Sequence, residues 1–112
     1  MLFQDIVKLL DAKLINVGKN YDNFDLQHIV ASDMMSEVLT VDKEGILLIT
    51  SLSSHQTLRT VSNIGGMGIL IANDSPVQVG MKELAKELGI TLLHTKTPTF
   101  EACVALGKKL GK

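Results

Sequence analysis

Three short stretches, Ile46–Thr50, Met67–Ala72 and Ile90–His94, are apolar at nearly every position instead of at every second one. A strand with one wet face alternates, so continuous runs of this length belong to a sheet that is covered on both sides. The segments between them carry helical periodicity. Ser54–Ile64 turns Leu58, Val61 and Ile64 inward, and residues 79–88 place Met81, Leu84, Ala85 and Leu88 at i, i+3, i+4, i+7 before a stop at Gly89. Buried strands separated by amphipathic helices pair in parallel. The expected fold class is therefore α/β, a three-layer sandwich with a mostly parallel sheet flanked by helices.

The rest of the chain fits around that unit. Residues 2–10 read as a helix with Leu2, Ile6, Leu9 and Leu10 on one face and Asp5 and Lys8 outside. Leu14–Val17 and Leu26–Ala31 read as strands, with His28 inside the second, and a helix follows over about 33–39. Thr97 is the expected N-cap of a last helix and Pro98 its first residue. On that helix Phe100, Cys103, Val104 and Gly107 are expected to face the core. No internal repeat or linker interrupts the 112 residues, which read as one domain.

Composition removes whole classes of function. With 11 basic and 12 acidic side chains the net charge is -1, and aromatics make up 4%. A nucleic-acid binder needs phosphate-neutralising charge and stacking platforms, so no nucleic acid is expected as partner. The longest apolar runs are of strand length, so no membrane is expected. The N-terminus shows no basic start followed by an apolar stretch, and the single cysteine fits a reducing compartment; the expectation is cytoplasmic.

Motifs for chemistry are few. Gly65–Gly66–Met67–Gly68 follows a helix and precedes a strand, the reverse of a phosphate loop, and reads as capping and turning. Gly18–Lys19–Asn20 lacks the spacing and the hydroxyl of a Walker A loop. His28, His55 and His94 have no metal-ligand spacing, Cys103 reads as packing, and no nucleophile elbow is present. No cofactor or metal is expected. Open α/β sheets bind ligands beyond the carboxyl ends of their strands. The residues expected there are Ser32, Asp33, Thr50, Ser51, Ser53, His55, Gln56, Asn73 and Thr95, with Lys96 as the obvious cation. Hydroxyls beside helix N–H groups suit a small anion or a phosphorylated metabolite, although plain helix capping accounts for them more simply.

Several stretches together resemble the DRTGG domain family. They are Asp22–Asn23–Phe24, the run from Val30 to Leu39, Ile49–Thr50 with His55–Gln56, Gly68–Ile71, Gly89–Leu93 and Phe100–Glu101–Ala102. Members resemble the N-terminal domain of HPr kinase/phosphorylase and occur inside some phosphotransacetylases and regulated pyrophosphatases. The name-giving stretch begins Asp-Arg in typical members, whereas Asp22–Asn23 stands here, so any role of that arginine is lost. The resemblance implies an accessory domain associated with regulation and self-association, without the kinase.

The leading expectation is a non-catalytic regulatory or scaffolding homodimer, with a protein partner in a regulatory or metabolic complex. The alternative is a sensor of a nucleotide or phosphorylated metabolite. A third reading, an enzyme with His55 as general base, lacks an identifiable partner for that base.

Overall fold

A computed structural model describes residues 1–112. In chain order the elements are α1 (Phe3–Leu10), β1 (Lys13–Asn16), β2 (Ile29–Ala31), α2 (Met35–Val38) and β3 (Leu47–Thr50). They continue with α3 (His55–Asn63), β4 (Gly68–Ile71), α4 (Met81–Leu88), β5 (Thr91–His94) and α5 (Thr99–Lys109). The sheet order is β1-β5-β4-β3-β2; β2, β3, β4 and β5 pair in parallel, and β1 pairs antiparallel with β5 at one edge. The expected mostly parallel sheet between two helical layers is what forms.

Alternation along the buried strands feeds two cores, because successive side chains point to opposite faces. Leu48, Ile69, Ile71 and Leu92 pack against Leu58 and Val61 of α3 and Met81 and Leu84 of α4. Leu47, Ile49, Leu70 and Leu93 pack against Phe3, Ile6 and Leu10 of α1 and Ala102 and Leu106 of α5. Gly89 ends α4 in the left-handed region at φ 72°, which glycine reaches without steric cost.

Several local expectations are corrected. Phe3, Ile6 and Leu10 form the buried face of α1, and Leu9 lies outside it. The same spacing serves either set, and the larger ring prevails: Phe3 fills the space above Gly68 and stacks on Tyr21 with centroids 5.7 Å apart. Any Cβ at Gly68 would fall 2.5 Å from the Phe3 ring. The second strand is shorter than expected, Ile29–Ala31, leaving His28 before it, although Leu26 is still buried in the α1–α5 core. The first helix after it is likewise shorter, Met35–Val38.

The last helix starts one residue late. Pro98 is its N-cap and Thr99 its first residue, so Thr97 does not cap it. Its buried residues are Ala102 and Leu106, while Phe100 and Val104 are exposed. The small Ala102 side chain lies fully buried on the side that meets the sheet, and Phe100 is left on the side facing away.

Two features mark the sheet edges. β2 is only 3 residues long. The β1–β5 register shifts between Leu14 and Asn16, where the Asn16 side-chain amide donates to the Ile90 carbonyl at 2.9 Å and Gly18 N–H donates to Thr91 Oγ1 at 3.0 Å. No helix is long and apolar enough to cross a membrane.

Candidate functional site

The loops after β2, β3, β4 and β5 share the carboxyl edge of the parallel strands, and hydrogen bonding sorts the nine expected residues into separate groups. Asp33 is the hub of the first. It accepts from the Thr50 hydroxyl at 2.8 Å, from Ser51 N–H at 2.7 Å and from the Ser51 hydroxyl at 2.8 Å. Backbone donation by Ser51, followed by the two hydroxyls, holds the Asp33 carboxyl below the usual carboxylate range. Thr50 is fully buried, and its oxygen also accepts from Leu52 N–H at 3.0 Å. Ser32 closes a small turn of its own, accepting from Met34 N–H and donating to Glu37.

The serine-rich loop leading into α3 is largely satisfied from within. Ser54 caps the helix by accepting from Thr57 N–H at 3.3 Å, and the Thr57 hydroxyl donates back to the Leu52 carbonyl at 2.8 Å. Ser53 donates to the Met81 sulfur at 3.4 Å. The His55 ring stands against Gly80, where a Cβ would come within 2.9 Å of Nε2. Gln56 is exposed on the first turn.

Asn73 and Thr95 belong to the other side of the edge. Asn73 Oδ1 accepts from Thr99 N–H at 3.0 Å, and its amide donates to Thr99 Oγ1 at 2.8 Å, so the start of α5 is capped from the loop after β4. Thr95 is buried, and its hydroxyl donates to the Leu10 carbonyl at the end of α1 at 3.0 Å. Its role is to tie α1 to β5.

Beside Thr95 and Lys96 the structure adds Asp11, Lys13 and His94, which sequence reading did not count among the edge residues. A cavity of about 410 Å³ opens between the α1–β1 turn and the β5–α5 loop, with Asp11 and Lys13 on one wall and His94, Lys96 and Thr97 on the other. Lys13 is brought there because β1 runs antiparallel: its first residue pairs with His94, the last of β5. The parallel strands bring their last residues to this edge and β1 brings its first, so Lys13 could be found only by knowing the direction of β1. His94 Nε2 lies 3.4 Å from the Asp74 carboxylate. Two lysines, an imidazole and a hydroxyl around one cavity can neutralise and hydrogen-bond an anion, with Asp11 limiting the net charge.

Other motifs resolve into structure. The Gly65–Gly68 cluster closes α3: Gly66 N–H donates to the Val61 carbonyl at 2.8 Å, and a Cβ there would lie 2.5 Å from the Val61 side chain. Asp22 and Asn23 sit exposed in a turn, where Asp22 accepts from the Gln4 amide at 3.2 Å. Three or more His, Cys, Asp or Glu side chains nowhere converge as metal ligands.

One surface lies away from this edge. Between α1 and α5 an open groove of about 580 Å³ is floored by Leu9, Phe100, Val104 and Ala105. Phe100 is 74% exposed and Leu9 48%.

Comparison with known proteins gives a family and a fold. The sequence profile of the DRTGG domain matches residues 5–108. The chain is similar to the solved structure of the CBS and DRTGG domains of the regulatory region of Clostridium perfringens pyrophosphatase, complexed with its activator diadenosine tetraphosphate. The TM-score is 0.79 at 17% identity, covering 94% of this chain and 45% of that one. No curated protein sequence matches the chain.

Proposed function

The chain belongs to the DRTGG domain family, and on that premise we propose that residues 1–112 form one non-catalytic regulatory or scaffolding domain that acts as a homodimer in the cytoplasm. The observation that carries this reading is the apolar groove between α1 and α5. A domain of this size buries a limited share of its surface, and an isologous contact covers what remains. The polar groups around His55 support the absence of catalysis: Ser51 bonds to Asp33 and Ser53 to Met81, so neither is paired with the imidazole. Light scattering across a dilution series tests the reading. The expected result is a dimer mass that falls toward the monomer on dilution, and a monomer at every concentration would overturn it.

A second reading is favoured by the basic cavity. Lys13, Lys96 and His94 around it support binding of a nucleotide or phosphorylated metabolite at the carboxyl edge, with Ser32, Asp33, Thr50, Ser51, Ser53, His55, Gln56, Asn73 and Thr95 shaping that edge. The Clostridium perfringens regulatory region, which is bound to diadenosine tetraphosphate, supports a nucleotide as the first compound to try. A ligand at 100 times its Kd adds about 2.7 kcal/mol to stability. Thermal melts with a panel of nucleotides and phosphorylated metabolites should then show a shift that Lys13→Ala with Lys96→Ala abolishes. No shift with any compound would count against this reading.

A further inference from the structure

We propose that the groove face of α5 packs against the same face of a second copy, with the two α5 helices antiparallel and centred on Val104 and Ala105. The proposal rests on the homodimer reading and adds its partner surface, direction and register. The exposed side of α5 carries two adjacent ridges at four-residue spacing, Phe100–Val104–Lys108 and Glu101–Ala105–Lys109, all lining the groove. Each ridge has a cation at its carboxyl end, and one has an acid at its amino end.

A two-fold axis lying across the helix at its middle turns each ridge end for end onto its own copy. Glu101 then faces Lys109 of the second copy, and Phe100 faces the second copy's Lys108. Val104 meets Val104, and Ala105 meets Ala105, whose small side chains let the helices approach to about 8 Å, the close end of helix packing. The Lys108 stem covers an aromatic ring that is otherwise 74% exposed, with its ammonium at the rim. Val104, 39% exposed, and Leu9, 48% exposed, enlarge the covered patch.

The opposite direction fails on charge. A parallel pair in the same register would gather both Glu101 side chains at one end and Lys108 and Lys109 of both copies at the other, crowding like charges at both ends. Within one chain the ion pairs are Met1 with Asp25 and His94 with Asp74, so Glu101, Lys108 and Lys109 are free to pair across an interface. A basic or an acidic partner of another kind would match only one end of the ridge. A second copy matches both.

Charge reversal on the full chain tests direction and register together. Glu101→Lys and Lys109→Glu are both exposed, so neither disturbs the core. Each breaks two symmetry-related pairs, and each is expected to raise the dimer Kd about tenfold by analytical ultracentrifugation at low salt. The double variant restores opposite charges at both contacts and should return to within about threefold of the parent. Singles that dimerise like the parent, or a double variant as weak as the singles, would overturn this arrangement while leaving a homodimer intact. A parent chain that is monomeric throughout would remove the homodimer reading itself.

Discussion

Asp33 and Ser51 are joined twice, by the Ser51 N–H at 2.7 Å and by its hydroxyl at 2.8 Å, so the loop after β2 is fastened to the loop after β3. These donors favour the carboxylate, and the Asp33 carboxyl is held below its usual value. A depressed value in the folded state gives stability that is present above the unfolded value, near 4, and lost as pH falls through the folded one. Asp33→Ala should therefore cost about 1 kcal/mol at pH 7, the low end because Asp33 is exposed. Urea unfolding at pH 7 and over a series of falling pH values checks it. The gap between parent and variant should shrink in acid, and an unchanged gap would contradict the assignment.

Asn73 does for α5 what Thr97 was expected to do. Its backbone is in the left-handed region at φ 59°, and its side chain binds both the N–H and the hydroxyl of Thr99. Asn73→Ala should lose the cap, worth about 1 kcal/mol, and add strain at a positive φ. Asn73→Gly loses the same cap but relieves the backbone. Thermal melts should rank parent above Gly and Gly above Ala; an Ala variant equal to the parent would show that the cap contributes nothing.

Two glycines make opposite predictions under the same substitution. At Gly68 an added methyl would meet the Phe3 ring at 2.5 Å and the Thr91 carbonyl oxygen at 3.2 Å, with Phe3 held in place by Tyr21. Gly68→Ala should destabilise by about 1–3 kcal/mol through overpacking. At Gly107, inside α5, nothing lies within 4 Å of the added methyl. Gly107→Ala should stabilise by about 0.5–1 kcal/mol by lowering the freedom of the unfolded helix segment. Chemical denaturation of the two variants beside the parent decides both.

Burial pushes the Cys103 thiol up from its usual value. The thiolate is the reacting species, so alkylation of Cys103 at pH 7 should be slower than that of a small free thiol. Its rate should rise toward that of the free thiol in denaturant. Fast labelling of the folded chain would mean that α5 opens readily.

The parallel centre of the sheet is legible in the sequence because Leu47–Ile49, Gly68–Ile71 and Thr91–Leu93 are buried on both faces and leave no alternative to a covered sheet. Faces of single helices are harder to read. On α1 both Phe3 and Leu9 satisfy the spacing, and only the void above Gly68 chooses between them. On α5 the buried face is carried by Ala102 and Leu106, and the more apolar Phe100 lies outside it. At the carboxyl edge the loops are correctly located, whereas the employment of their side chains is not visible in advance. Thr50 and Thr95 are spent on Asp33 and Leu10, contacts of large sequence separation that no local pattern announces. Lys13 reaches the edge through the direction of β1 alone.

The three-residue β2 and the bulged β1 limit how copies of this chain could meet. An open sheet ends in unpaired N–H and C=O groups that invite a further strand, and edge-to-edge addition has no natural limit. Here one border is only 3 residues long and the other is kinked by its register shift. Both devices disfavour growth into a continuous ribbon. The proposed homodimer therefore falls to a helical surface, where a two-fold contact would close on itself and stop at two copies.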